Sequence, residues 1–183
     1  MKLLADPVVW KQWVQRAGPV NGTWAPLPEV KPITLNVVVP TAQRQPVTWR
    51  YTLAKPGEAW FKPDFDDAAW QEGPAGFGTP HTPGAVVRTE WKTKDIWLRR
   101  VFTLPEAPLQ HPVLLMHYDE SPDVYLNGVL AAQLDGYVAE YGEVDIAPAA
   151  RAALKPGRNI LAVHCRQTTG GQYIDVGLGE EQP

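Results

Sequence analysis

Cysteine is almost absent from this chain of 183 residues. Cys165 is the only one, so no disulfide can form within the chain. A single cysteine also cannot form a CxxC motif or a cysteine-based zinc site. The cysteine count therefore leaves the redox compartment open.

Runs of positive charge are also absent. The 17 Lys and Arg residues are outnumbered by 20 Asp and Glu residues, which gives a formal net charge of -3. Nucleic acids and anionic membrane surfaces are bound by clustered basic side chains. We therefore expect neither a nucleic acid nor a membrane as a partner.

Several catalytic motifs are missing as well. The sequence contains no Gly-x-Ser-x-Gly elbow, no zinc motif and no phosphate-binding loop. Because no set of nucleophile, base and orienting group can be assembled from it, we expect the chain not to be an enzyme by itself.

The first 32 residues differ from the rest of the chain. Apolar residues at 8–10 and 13–14 have loosely helical spacing, and four prolines between 19 and 32 then prevent regular structure. Asp6 and Pro7 interrupt the start of what would otherwise resemble a secretion signal, so no signal peptide is predicted. We predict a short helix and a Pro-rich linker over 1–32, followed by one domain over 33–183.

Turn-forming and aromatic residues are abundant. The chain has 19 Pro, 15 Gly and 8 Trp, a composition that favours many short strands over long helices. Strands are predicted at 33–39, 47–53, 97–104, 113–118, 124–126, 129–131, 142–146, 159–165 and 173–178, with a short helix at 148–154. Residues 54–95 lack periodicity and should form packed loops and short strands.

Two local patterns are more specific. Asn127 and Gly128 separate two apolar runs and predict a type I′ hairpin. The last strand should bury Ile174 and its alternate neighbours and place Tyr173 and Asp175 on the opposite face. The whole pattern predicts an all-β fold, a jelly-roll β-sandwich.

An ordered series of motifs runs through the predicted domain. It comprises FDDAAW at 65–70, DIWLRRVFTL at 95–104, DVYLNG at 123–128, GY at 136–137, DI at 145–146 and LKPGRNILAV at 154–163. The series resembles the sugar-binding domain of family 2 glycoside hydrolases and the galactose-binding-like jelly rolls attached to other bacterial glycosidases.

The resemblance implies a fold and a setting. The setting is a secreted or periplasmic protein in which a catalytic glycosidase domain lies elsewhere in the parent chain. Related jelly rolls often hold a structural calcium ion, so Ca²⁺ is a candidate cofactor. The fold serves sugar binding and domain packing alike, so the resemblance does not imply an activity.

The first candidate site is a polar cluster before the hairpin. It comprises His117, Tyr118, Asp119, Glu120 and Asp123. Its carboxylates could accept hydrogen bonds from sugar hydroxyls, coordinate calcium, or form a solvated structural turn. As an acid/base pair they would need a third carboxylate such as Asp135 or Asp175, because adjacent residues of an extended chain point to opposite faces.

The second candidate site surrounds the glycine-rich turn at 168–171. It comprises His164, Arg166, Gln167, Gln172, Tyr173 and Asp175. Gln and Arg offer directional hydrogen bonds to sugar hydroxyls, and an aromatic ring offers a flat apolar face to a pyranose. Alternatively, His164 and Gln167 satisfy buried backbone groups at the strand end.

Four aromatic residues flank predicted loops and are candidates for a stacking platform. These are Trp91, Tyr118, Tyr137 and Tyr141. The sequence thus predicts a non-catalytic carbohydrate-binding module that recognises an oligo- or polysaccharide. A structural domain that packs against a glycosidase domain and a small glycoside hydrolase are the alternatives.

Overall fold

The computed structural model of the protein describes residues 34–182, which form two β-sheets packed face to face. The strands are β1 (Thr34–Val39), β2 (Thr48–Thr52), β3 (Gln71–Pro74), β4 (Phe77–Gly78), β5 (Thr89–Glu90), β6 (Asp95–Leu104), β7 (Pro112–Asp119), β8 (Ser121–Leu126), β9 (Val129–Gln133), β10 (Gly142–Asp145), β11 (Gly157–Arg166) and β12 (Tyr173–Gln182). One short helix, α1 (Pro148–Ala152), precedes β11.

Each sheet has six strands. In the first sheet the order is β10-β7-β12-β4-β5, and β1 pairs with the C-terminal half of β12. In the second sheet the order is β3-β2-β6-β11-β8-β9. Every pairing is antiparallel except the short parallel contact between β4 and β5. The predicted all-β sandwich is confirmed.

The predicted strands are found with small shifts at their ends, and the long stretch from 54 to 95 contains β3, β4 and β5 between packed loops. The hairpin joins β8 to β9 with positive φ at both Asn127 (49°) and Gly128 (86°). This is the backbone of a type I′ turn, so the predicted turn is confirmed.

The core lies between the sheets and is apolar. It includes Trp49, Leu98, Leu114, Val163 and Val176, each at most 2% exposed. Burial of such side chains is the main favourable contribution to folding, at about 25 cal/mol per Å² of apolar surface.

The outer face of the second sheet is covered by the segment that precedes β3. Arg99 of β6 is 1% exposed and fixes this segment. Its Nε donates to Asp67 Oδ2 at 2.7 Å, and its other nitrogens donate to the carbonyls of Trp60, Lys62 and Phe65. The segment before β3, which has little periodicity in its sequence, is therefore held in place by hydrogen bonds from the Arg99 side chain, mostly to backbone carbonyls.

The outer face of the first sheet is covered as well. Tyr173 and Asp175 on this face of β12 are 0% and 1% exposed, and a Cβ at Gly177 would meet the carbonyl oxygen of Val39 at 2.6 Å. The prediction that these two residues lie opposite the core residues of β12 is confirmed, but both faces of this strand are buried.

The predicted helix and linker at 1–32 lie outside the described residues, and the boundary at residue 33 stays a prediction. Within residues 34–182, no helix is long and apolar enough to cross a membrane.

Candidate functional site

The two candidate loops lie side by side at one end of the sandwich. β7 ends at Asp119 in the first sheet, and the chain crosses at Glu120 to enter β8 in the second sheet. β11 and β12 make the same crossing in the opposite direction through 167–172. Since Asp119 is paired with Tyr173 across β7 and β12, both crossings occur at the same end of the sandwich.

A cleft of about 370 Å³ opens between these two crossings. It is lined by Pro83, Asp119, Glu120, Tyr137, Val138, Ala139, Thr169, Gly170 and Gly171. Asp119 and Glu120 both line it, so the prediction that they point apart is wrong for this site. The reason is that the chain leaves the extended strand at this point and turns from one sheet to the other.

Glu120 fixes the loop between β11 and β12. Its Oε2 accepts a hydrogen bond from the Thr168 hydroxyl, and its Oε1 accepts one from the Thr169 N–H at 3.2 Å. Inside the loop, the side-chain amide of Gln167 donates to the carbonyl of Gly171. The cleft wall is thus held by side chains from both crossings.

Asp119 differs from Glu120 because its carboxylate is not bonded to the loop and reaches the cleft. Its residue is 8% exposed, and within residues 34–182 its side chain accepts no hydrogen bond. Burial, and then the neighbouring Glu120 charge, raise its pKa above that of an ordinary carboxyl. A Cβ at Gly171 would lie 2.2 Å from Asp119 Oδ2, so only glycine allows the loop to approach this closely.

Tyr137 supplies an aromatic surface at the cleft. It is 73% exposed, more than any other large hydrophobic residue within 34–182. Its backbone bridges to Asp119, and the next residue, Val138, donates its N–H to the carbonyl of Tyr118 at 3.0 Å. The ring is therefore exposed on a backbone that is fixed against β7.

Besides Asp119, five of the predicted binding residues are buried, and none of these five lines the cleft. Trp91 (1% exposed) and Tyr118 (9%) pack into the hydrophobic core. His117 (0%) and Tyr173 (0%) lie under the loops that cover the first sheet, and Gln172 (7%) donates to the carbonyl of Thr93 at 2.7 Å. Large aromatic rings are buried wherever the chain can cover them, because they carry the most apolar area.

Tyr141 belongs to a buried polar network. Its hydroxyl lies 2.7 Å from the Tyr173 hydroxyl and donates to Asp175 Oδ2 at 2.7 Å. The N–H of Ala42 also donates to Asp175 Oδ2, at 2.6 Å. Burial raises the pKa of Asp175 to about 6 and also raises those of both tyrosines. The Tyr141 hydroxyl therefore lies in the interior, and the half-buried Tyr141 does not line the cleft.

The remaining predicted residues lie apart from the cleft. His164 is stacked on Trp97 at 4.7 Å on the outer face of the second sheet, and its Nε2 lies 2.8 Å from Asp95 Oδ1. Asp123 accepts from the Gln133 amide at 2.8 Å. Arg166 is exposed but does not line the cleft, and Gln167 acts through the loop that it supports.

Sequence reasoning missed part of the cleft. Pro83, Val138 and Ala139 line it but carry no polar signal that would single them out. Thr169, Gly170 and Gly171 were recognised as the turn of the second candidate site, although its flanking residues were chosen as ligands. Thr169 is exposed and has the hydroxyl and backbone groups that a turn presents.

Calcium remains a candidate from the sequence alone, and the structure bears only on side chains that could bind a metal. Within the described part of the chain, no three His, Cys, Asp or Glu side chains are grouped so as to hold a metal ion. Asp135, considered as a third carboxylate, is exposed and does not line the cleft, and Asp175 lies in the buried network.

Comparison with known proteins gives likeness in fold only. No protein family matches the chain, and no curated protein is similar to it in sequence.

Solved structures do match. Bacteroides uniformis beta-glucuronidase is 20% identical with a TM-score of 0.54, and the match covers 83% of this chain and 18% of that one. A calcium binding mutant of Bacteroides uniformis beta-glucuronidase 2 has 19% identity, a TM-score of 0.57, and 83% and 18% coverage. Bifidobacterium dentium beta-glucuronidase complexed with coumarin-3-O-glucuronide has 18% identity, a TM-score of 0.50, and 79% and 22% coverage.

The chain therefore spans about a fifth of the length of these glycosidases. Other matches include a glycosyl hydrolase family 2 member from Bacteroides cellulosilyticus, with a TM-score of 0.50 and 16% identity. The predicted resemblance is confirmed at the level of fold: residues 34–182 have the β-sandwich found as one part of family 2 glycoside hydrolases.

Proposed function

We propose that the chain is a non-catalytic carbohydrate-binding module of a larger protein that processes polysaccharides, and that the sugar binds in the cleft between the two crossings. The observation that carries the proposal is the exposed ring of Tyr137 beside a cleft of about 370 Å³ that two carboxylates also line. Clefts of a few hundred Å³ are typical of small-ligand sites.

The chemistry of the cleft fits a short saccharide. The Tyr137 ring offers a flat apolar surface to the C–H face of a pyranose. The Asp119 carboxylate, the Thr169 hydroxyl and the backbone of 169–171 offer acceptors and donors to sugar hydroxyls. Because the loop is fixed by Glu120 and Gln167, little ordering entropy is lost when a ligand binds.

The non-catalytic part of the proposal is supported by what the two carboxylates do. Glycosidases need two carboxyl groups that face each other across the scissile bond. Glu120 is instead bonded to Thr168 and Thr169 beside Asp119, and no further carboxylate within residues 34–182 lines the cleft. If the chain hydrolyses aryl glycosides and loses that activity in Asp119→Asn, this part of the proposal is wrong.

A structural role is the second candidate. The solved glycosidases that match are about five times as long as the match, so in them this fold is one domain among several. By that analogy we propose a catalytic glycosidase domain as a partner in the parent chain and export of that parent from the cytoplasm. The exposed apolar side chains Val101 (50%) and Leu130 (40%) are available for domain packing away from the cleft.

The test is a glycan array followed by titration calorimetry with the full chain, using wild type, Tyr137→Ala and Leu130→Ala. Removing the stacking ring should weaken binding by up to about tenfold, since such stacking contributes about 0.5–1.5 kcal/mol. Leu130→Ala removes an exposed apolar side chain outside the cleft and should bind as wild type does. If no glycan binds, or if Tyr137→Ala has no effect, the structural role is favoured.

A further inference from the structure

The charge of the cleft is of one sign. Of the residues that line it, Asp119 and Glu120 are ionisable carboxylates, and none is Lys, Arg or His. A ligand in this cleft therefore meets negative charge without a compensating cation from the lining residues.

The two carboxylates are not equivalent. Both oxygens of Glu120 accept hydrogen bonds from the loop between β11 and β12. Asp119 is more than nine-tenths buried, lines the cleft, and accepts no hydrogen bond from any residue within 34–182. Its oxygens are not among the buried polar atoms that lack a partner, so they are open to the cleft and can accept a hydrogen bond from a group in it.

A ligand in the cleft can donate a hydrogen bond to this carboxylate. A hydroxyl would supply a neutral hydrogen bond, whereas an ammonium would supply a charge-assisted one that is roughly twice as strong. A carboxylate on the ligand would instead place like charges together in a site with reduced dielectric, which is unfavourable.

We propose that the cleft selects sugars that carry a free primary amine, with the ammonium paired to Asp119, and discriminates against uronic acids. This inference rests on the proposed carbohydrate-binding function and specifies its ligand class as hexosamine-containing saccharides. In this proposal the Tyr137 ring stacks on the sugar ring, and the Asp119 carboxylate pairs with the amine substituent of the sugar.

The experiment compares four disaccharides of similar size by calorimetry with the full wild-type chain. They are deacetylated chitobiose, N-acetylated chitobiose, cellobiose and cellobiouronic acid. The measurements are made at about pH 6.5, where a sugar amine is protonated. Deacetylated chitobiose should bind about tenfold more tightly than cellobiose, the acetylated form should lose this advantage, and the uronic acid should bind more weakly than cellobiose.

Asp119→Asn keeps the size of the side chain and removes its charge. This variant should bind deacetylated chitobiose and cellobiose within about twofold of each other. Asp135→Asn is the matched control, because Asp135 is exposed and does not line the cleft, and it should keep the tenfold preference. If Asp119→Asn does not fold, raising the salt concentration on wild type should narrow the preference for the amine, since salt screens the ion pair.

The outcomes separate the two claims. Equal affinity for the amine and cellobiose, or tighter binding of the uronic acid, overturns the selectivity, provided that Tyr137→Ala still weakens binding. An amine preference that persists in Asp119→Asn overturns it as well. If none of the four sugars binds and no other glycan does, the proposed function itself fails.

Discussion

Asp175 is an acidic residue with only 1% exposure in the middle of β12, and its Oδ1 has no hydrogen-bond partner within residues 34–182. Its Oδ2 accepts bonds from the Ala42 N–H and the Tyr141 hydroxyl. These bonds lower its pKa, but burial outweighs them and raises it to about 6. The folded state therefore binds a proton to Asp175 more readily than the unfolded state does.

This shift predicts a pH dependence of stability. An aspartate whose pKa is raised on folding stabilises the fold most below its unfolded pKa of about 4, and this contribution is lost as the pH rises through about 6. The nearby His117 acts in the opposite sense, because burial lowers its pKa and acid then destabilises the fold. The contribution of Asp175 must therefore be measured as a difference between wild type and a variant.

We predict that Asp175→Asn removes the contribution of Asp175. The free energy of unfolding of wild type minus that of the variant should rise by about 2 to 3 kcal/mol between about pH 7 and pH 4. Urea unfolding at the two pH values measures it. Asp145→Asn is the control, because Asp145 is exposed. The free energy of unfolding of wild type minus that of this control should change by less than about 0.5 kcal/mol between the two pH values. A pH-independent difference for Asp175→Asn would show that the carboxyl is not buried in this way.

The burial of Asp175 and His117 could not be predicted from the sequence. Both alternate with apolar residues along a strand, which is the pattern of a half-exposed sheet. The segment after β1 and the residue before β10 cover them, as the bonds from Ala42 and Tyr141 show. Such contacts join residues far apart in the chain, and no local pattern reports them.

At the scale of elements, the hairpin between β8 and β9 is the feature that the sequence predicts most completely. Two residues, Asn127 and Gly128, identify the turn, and both have the positive φ that it requires. The Asn127 amide also donates to Ala153 O and to Asn159 Oδ1, each at 2.7 Å, which ties the turn to neighbouring elements.

We predict that Gly128→Ala destabilises the fold by about 1 kcal/mol, because an L-residue is strained at this φ. A Cβ there would meet nothing nearer than 3.5 Å, so the loss reflects backbone conformation alone. Gly142→Ala at the start of β10 has open space and no positive φ, and it should leave stability unchanged or slightly increased. Equal effects of the two changes, measured by thermal unfolding, would argue against the type I′ turn.

The short strands were not predictable as elements. β4 has two residues, and its position is set by the pairing of Phe77 and Gly78 with Ile174 and Tyr173 of β12. A strand of that length has no period to detect. The longer strands were predicted because alternation over five or more residues is sufficient to reveal one buried face.

At the scale of the whole molecule, the sequence identifies two polar loops but not that they meet. They meet because β7 and β12 are neighbours, and the chain leaves the first sheet at Asp119 and enters it again at Tyr173. Of the predicted ligands, Asp119, Glu120 and Tyr137 line the resulting cleft, whereas the larger aromatic residues are needed to fill or cover the sandwich. The polar residues in the sequence thus identify the two loops. Which of their side chains face the cleft depends on the strand topology, which the sequence does not show.

The most direct test of the account is an amide NMR titration of the full chain with a glycan that binds it. We predict chemical-shift changes confined to Asp119, Glu120, Tyr137 to Ala139 and Thr169 to Gly171, which line the cleft. The exposed Val101 and Leu130 should show none. Shift changes centred on the outer face of the second sheet, around Trp97 and His164, or no shift with any glycan, would contradict the assignment of this cleft as the sugar site.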